Sequence, residues 1–195
     1  RPAGQGGRAS RQGGQGQDRP EESASSQAQA HPGGSQAPAF LSGFAQDQWF
    51  AACPKSLETL LAAELTALGA GATRETVAGV YFTGPVALAY RACLWSRLAN
   101  RVLLPVARLE AADSDTLYRQ LKAVDWGALF GPDQSFAIDF SGENREIRNT
   151  QFGAQRSKDA VVDWFVEKTS RRPPVARKDP AIRLNIRLSG EQAVL

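Results

Sequence analysis

The residues of this chain whose types and spacing could do chemistry lie in one run, IRNTQFGAQRSKDAVVD, from Ile147 to Asp163. Arg148, Asn149 and Gln151 stand just ahead of a helical pattern, and Arg156 and Lys158 fall in its first turns. A helix start leaves backbone N–H groups unpaired at the positive end of its dipole, so basic side chains gathered there favour phosphate. That is binding chemistry, and no catalytic group accompanies it. The single histidine, His31, sits in a low-complexity tail, which leaves the body without one for a triad, a metal site or a general base near neutral pH. No P-loop occurs, and the glycines of GQGGRASRQGGQGQ stand among Gln, Ser and Arg with no flanking strand or helix pattern. The expectation is a chain with no catalytic residue and no metal.

Charge placement widens the candidate set. The net charge is only +3, yet basic residues outnumber acidic ones from Ser141 to Leu195, while Gln46 to Phe140 carries a slight acidic excess. A phosphate-facing C-terminal part on a neutral scaffold follows. The candidates are Arg145, Arg148, Asn149, Gln151, Arg156, Lys158, Arg171, Arg172, Arg177 and Lys178. Most have a plainer alternative. Arg145 and Arg148 can simply solvate a loop, and Asn149 and Gln151 can cap a turn instead of reading bases. Arg171 and Arg172, ahead of Pro173-Pro174, can offset the C-terminal dipole where a helix stops. Lys158 lies at the edge of an apolar face and can contact phosphate, pair with a carboxylate, or reach solvent. Arg148, Arg156 and Lys158 are expected to cluster around the one helix start. The tryptophans (Trp49, Trp95, Trp126 and Trp164) read as core and interdomain packing, because stacking platforms would sit among basic residues.

The elements that must position these residues follow a readable order. Residues 1–46 are rich in Gly, Gln, Ser, Ala and Pro and are expected to be disordered. Residues 47–111 read strand, helix, strand, strand, helix, strand, an α+β ferredoxin-like βαββαβ unit with both helices on one face. Ser56 is the expected N-cap of the first helix and Gly69 its stop. Gly79 is expected to make the hairpin turn. The second helix should bury Val86, Ala89, Tyr90, Cys93 and Leu94. Val102 to Leu109 reads as one strand, with Pro105 at an edge or bulge. In residues 112–195, Asp113-Ser114-Asp115 caps a helix, Trp126 to Phe130 forms a short turn, and Phe136 to Phe140 alternates as a strand. A long helix follows from about Gly153 to Thr169, then a strand from Ile182 to Leu188. A turn at Ser189-Gly190-Glu191 leads to a partner strand that looks cut short and is expected to leave an uncovered sheet edge. Gly142-Glu143-Asn144 is too generic to assign.

No run approaches the roughly 20 apolar residues of a membrane span, and the N-terminus lacks a signal-peptide core. Cys53 and Cys93, far apart and in apolar surroundings, read as reduced, buried thiols. The start at Arg1 and the stop at Val194-Leu195 suggest a piece of something longer.

Several segments together resemble a known family. They are FAACPKSLETLLAAEL, GVYFTG, YRACLWSRLANRVLLPV, VDWGALF, FAIDFSGENREIRNTQFGAQRSKDAVVD, RRPPV and DPAIRLNIRL. They resemble the N-terminal ferredoxin-like plus THUMP region of the bacterial bifunctional 23S rRNA guanine-N2 methyltransferases. The resemblance implies a THUMP RNA-binding domain over residues 112–195, 23S rRNA as partner, and a cytoplasmic location. It further implies a methyltransferase domain of the same chain that uses S-adenosylmethionine, with no cofactor in this part. The Gly-rich tail departs from the family pattern. A THUMP module of a tRNA-modifying enzyme (a tRNA methyltransferase or a 4-thiouridine sulfurtransferase) and a protein-interaction α+β module without RNA are the alternatives.

Overall fold

The computed structural model describes residues 47–195, so the expected tail disorder lies outside the described residues. The first layer is a four-stranded antiparallel sheet in the order β2-β3-β1-β4. Its strands are β1 (Gln48–Ala52), β2 (Thr73–Thr76), β3 (Gly79–Thr83) and β4 (Arg101–Leu103), with α1 (Glu58–Ala67) and α2 (Val86–Trp95) between them. This is the expected βαββαβ order. Leu61 and Leu65 of α1 and Leu88 and Ala92 of α2 share one core with Ala51, Val80 and Phe82, which puts both helices on one sheet face. On the other face the Phe50 and Tyr81 rings lie 4.9 Å apart, with Arg74 4.5 Å from the Tyr81 ring.

Local expectations need correcting here. Leu57, not Ser56, takes the N-cap position of α1, without a side-chain bond. The Glu58 carboxylate instead accepts from Ala78 N–H at 2.9 Å, tying the helix start to the β2–β3 turn. The left-handed residue of that turn is Ala78, at φ 62°. Gly79 belongs to β3 and is needed for close approach: a Cβ there would lie 2.2 Å from Phe50 Cζ. Helix α2 buries Leu88, Ala89 and Ala92, whereas Val86, Tyr90 and Leu94 are 54, 68 and 79% exposed and Cys93 is exposed too. An apolar helix offers more than one plausible inner face, and the sheet takes the one with two alanines, which allows closer packing.

The strand expected over Val102 to Leu109 is two strands in two sheets. Pro105 offers no N–H to a ladder, so β4 ends at Leu103 and β5 (Arg108–Glu110) starts the second sheet. That sheet has the order β5-β8-β7-β6, with β6 (Phe136–Ser141), β7 (Ile182–Ser189) and β8 (Gln192–Val194). β6 and β7 run parallel, with Phe136 opposite Ile182, and the other pairs are antiparallel. The last strand is therefore not an uncovered edge. It lies between β5 and β7, Leu195 N–H donates to Ala107 O at 2.9 Å, and Leu195 O accepts from Val106 N–H at 2.7 Å.

Helices α3 (Ser114–Lys122) and α4 (Thr150–Thr169) cover this sheet, with a 3-10 turn at Trp126–Ala128. Asp113 caps α3 as expected, accepting from Asp115 and Thr116 N–H, and the Thr116 bond first of all holds its carboxyl below the usual range. Leu117, Leu121, Trp126, Phe136, Val161 and Phe165 form the centre of the core, and Trp126 Nε1–H donates to Leu121 O at 2.9 Å. Asn144, in the loop from β6 to α4, joins three segments. Its Nδ2 donates to Ala111 O (2.8 Å) and Gly190 O (3.0 Å), and its Oδ1 accepts from Ile147 N–H (2.7 Å) and Glu146 N–H (3.0 Å). The unassigned Gly142–Asn144 stretch is thus a structural joint that sets the loop carrying Arg145 and Arg148.

Candidate nucleic-acid interface

Helix α4 starts at Thr150, earlier than expected, because Asn149 is its cap. Asn149 Oδ1 accepts from Gln151 N–H (2.8 Å) and Phe152 N–H (3.2 Å), and its carbonyl accepts from Gly153 N–H. These bonds use the donors that an anion at the helix start would have taken, so the expected phosphate cradle of backbone groups is closed. Gly153 lies against Phe140, where a Cβ would come 2.6 Å from the ring, and the buried Ser157 Oγ–H donates to Gly153 O at 2.7 Å. Small residues thus let the first turns of α4 sit down on β6.

The basic residues do not form the expected cluster around this start. Arg156 and Lys158 are two positions apart, about 200° around a helix, and leave α4 on opposite flanks. Arg156 turns to α3, where Nη2 lies 2.7 Å from Asp115 Oδ1 and the guanidinium 4.2 Å from the Tyr118 ring. Tyr118 Oη–H donates to Asp163 at 2.6 Å, and that bond first of all raises its pKa above the ordinary tyrosine value. Arg171 forms a two-bond pair with Asp133. Arg148 Nε–H donates to Arg145 O at 2.8 Å, folding over its own loop. Lys158 Nζ lies 2.9 Å from Asp159 Oδ1. The side chains of Arg145, Arg172, Arg177 and Lys178 are exposed and have no hydrogen bond or ion pair among the described residues.

What the fold does bring together is a groove of about 620 Å³ between the first turns of α4, the outer strand β6 and the connection from α4 to β7. Ser170 ends α4 in the left-handed region, and the connection then bonds along β6: Phe136 N–H to Pro174 O and Ala176 N–H to Phe136 O, both at 3.0 Å. This path carries Arg177 to the groove, where Lys158 enters from α4 and Arg183 from β7. Arg183 lies 3.2 Å from Asp139, and Gln151, Gln155 and Asn149 supply amides. Phe152 presents its ring to the same groove at 50% exposure. Sequence reasoning missed Arg183 and Phe152 as site residues. The signal for Phe152 was an aromatic directly within a polar, basic run, while Arg183 needed the parallel β6–β7 register.

Arg156, held by α3, is expected to act on stability and not on binding. Arg156→Ala should lower unfolding free energy by about 1 kcal/mol, counting an exposed ion pair and a ring contact. Urea denaturation beside a nucleic-acid titration checks this, and a loss of affinity with unchanged stability would contradict it. Among the described residues no group of three or more His, Cys, Asp or Glu could hold a metal, and no helix is long and apolar enough to cross a membrane.

Comparison with known proteins agrees with this architecture. The family model for the RlmL ferredoxin-like domain matches residues 48–103 and that for the THUMP domain residues 111–195. The ribosomal RNA large subunit methyltransferase K/L of Cellvibrio japonicus is 52% identical over 148 residues, covering 76% of this chain and 20% of that protein. Its counterpart from Methylococcus capsulatus is 49% identical over 147 residues, again covering 20% of that protein. The chain thus spans about a fifth of the length of these relatives. Among solved structures, TrmN from Thermus thermophilus aligns with a TM-score of 0.55 and 29% identity, over 76% of this chain and 44% of that one. A Listeria monocytogenes protein described as a predicted N6-adenine-specific DNA methylase aligns with a TM-score of 0.65 and 25% identity, over 75% of this chain and 38% of that one.

Proposed function

We propose that this chain, which carries the RlmL ferredoxin-like domain and a THUMP domain and is about 50% identical to the ribosomal RNA large subunit methyltransferases K/L, is the RNA-holding part of a 23S rRNA guanine-N2 methyltransferase. The observation that carries this reading is the groove that Lys158, Arg177 and Arg183 line together with the half-exposed Phe152. Cations spaced around a channel neutralise successive phosphates, and an aromatic face within reach of them takes an unpaired base by stacking. Arg145, Arg148, Arg172 and Lys178 are further exposed cations on the segments that lead into and out of α4, and the amides of Gln151 and Gln155 offer hydrogen bonds without enforcing a sequence. Arg156 and Arg171 serve the scaffold.

Methyl transfer, with S-adenosylmethionine as donor, belongs in this proposal to the remaining four-fifths of the full-length protein; this region positions the RNA for it. A ribosomal RNA substrate supports a cytoplasmic location for the protein. Identity near 50% with proteins named for methylation of large subunit ribosomal RNA favours a ribosomal RNA substrate.

The ring gives a direct test. Phe152→Ala is expected to weaken binding of an unpaired oligoribonucleotide about tenfold, the contribution of one stacked base, with little effect on a blunt duplex. Phe152→Tyr keeps the ring face and should keep the affinity. Fluorescence anisotropy at one fixed salt concentration reads all three, and equal losses on both RNAs would remove Phe152 from the site.

A further inference from the structure

We propose that the outward face of α2 is the surface on which the methyltransferase part of the same polypeptide docks. The inference rests on the reading above that the full-length protein continues into such a part. Val86, Tyr90 and Leu94 recur at helical spacing on one side of α2, 54, 68 and 79% exposed, and the exposed Cys93 lies beside them. The opposite side, Leu88, Ala89 and Ala92, already meets the sheet. Helix α2 is therefore apolar on two faces with only one of them covered, the pattern of a helix held between two bodies. Its one charged residue does not interrupt the stripe, because the Arg91 guanidinium turns away to donate to Leu68 O at 2.9 Å. Trp95, at 70% exposure, adds a large apolar side chain at the end of the same helix.

The chemistry of the patch selects its occupant. With Arg91 as its one cation, turned toward Leu68 O, the patch offers little to phosphate, and the groove that suits RNA lies in the other sheet's layer. The patch amounts to roughly 500 Å², at the upper end of what monomers leave open. That is less than the roughly 800 Å² per partner of a stable interface between separate molecules. A tethered domain needs less, since the link supplies a high effective concentration. Relatives of which this region makes up 20% have ample chain to supply that domain.

Cys93 reports on the face directly, with the buried Cys53 as internal control. Alkylation with N-ethylmaleimide, followed by peptide mass spectrometry, would compare the 195-residue chain with the full-length protein. Cys93 is expected to react at least tenfold more slowly in the full-length protein at every protein concentration. Tyr90→Glu with Leu94→Glu should abolish that protection, while leaving the melting temperature of the 195-residue chain within a degree or two, because both side chains are exposed there. Equal Cys93 rates in the two proteins would overturn the proposal. Protection that disappears on dilution would overturn it in favour of a second copy of the chain. If RNA binding fails while Cys93 stays protected, the docking face stands and the RNA reading falls.

Discussion

Gly142→Ala is expected to lower unfolding free energy by about 4 kcal/mol and the melting temperature on the order of 10 °C. Gly142 sits at φ 87°, just after β6, where a Cβ would lie 2.0 Å from Leu188 O and 2.9 Å from Leu188 C. The obstruction is backbone of the neighbouring strand β7, which cannot rotate away as a side-chain tip can. Relief requires the loop to lift from the sheet, and that loop is the one Asn144 ties to Ala111 and Gly190. Gly190→Ala is the matched control: φ is 60°, but nothing lies within 4 Å of the added carbon, so about 1 kcal/mol should be lost. Thermal denaturation followed by circular dichroism separates the two, and similar small losses at both positions would show that the close approach of loop and strand is wrong.

Much of the fold was legible because its signals are local. The strand alternation from Phe136 to Phe140, the leucine spacing of α1 and the Asp113 cap each specify an element without knowledge of the rest. The misreadings share a different cause. Placing β8 between β5 and β7 depends on a strand far upstream, and a local hairpin pattern reveals one neighbour only. The inner face of α2 was ambiguous because Val86, Tyr90 and Leu94 satisfy helical periodicity as well as Leu88 and Ala92 do. In the site, the run from Ile147 to Asp163 was recognisable as polar and basic, but which cation meets which partner was not. Arg156 finds Asp115 and Tyr118 only because α3 packs on α4. Lys158 shares a groove with Arg177 only because the chain after Pro174 runs along β6, and with Arg183 only because β7 pairs with β6. The opposed directions of Arg156 and Lys158 were implicit in the helical repeat. The identity of Asn149 as the cap, which closes the helix start to anions, was one of two readings its residue type allowed.

The groove lined by Lys158, Arg177 and Arg183 is expected to hold RNA phosphates. Filter-binding titrations of a structured 23S rRNA fragment at several salt concentrations test it most directly. The triple variant Lys158→Ala, Arg177→Ala, Arg183→Ala is compared with Arg156→Ala, Arg171→Ala. Loss of three cations, with Asp139 left uncompensated beside the groove, should weaken binding about a hundredfold or more at low salt. The slope of log affinity against log salt should become shallower by about two to three units, because fewer counterions are released. The double variant removes as many as two charges, yet its affinity and slope should stay close to those of the unaltered chain, since those arginines do not line the groove. Unchanged affinity and slope in the triple variant, or an equal fall in the double variant, would contradict the account and place the RNA elsewhere on the protein.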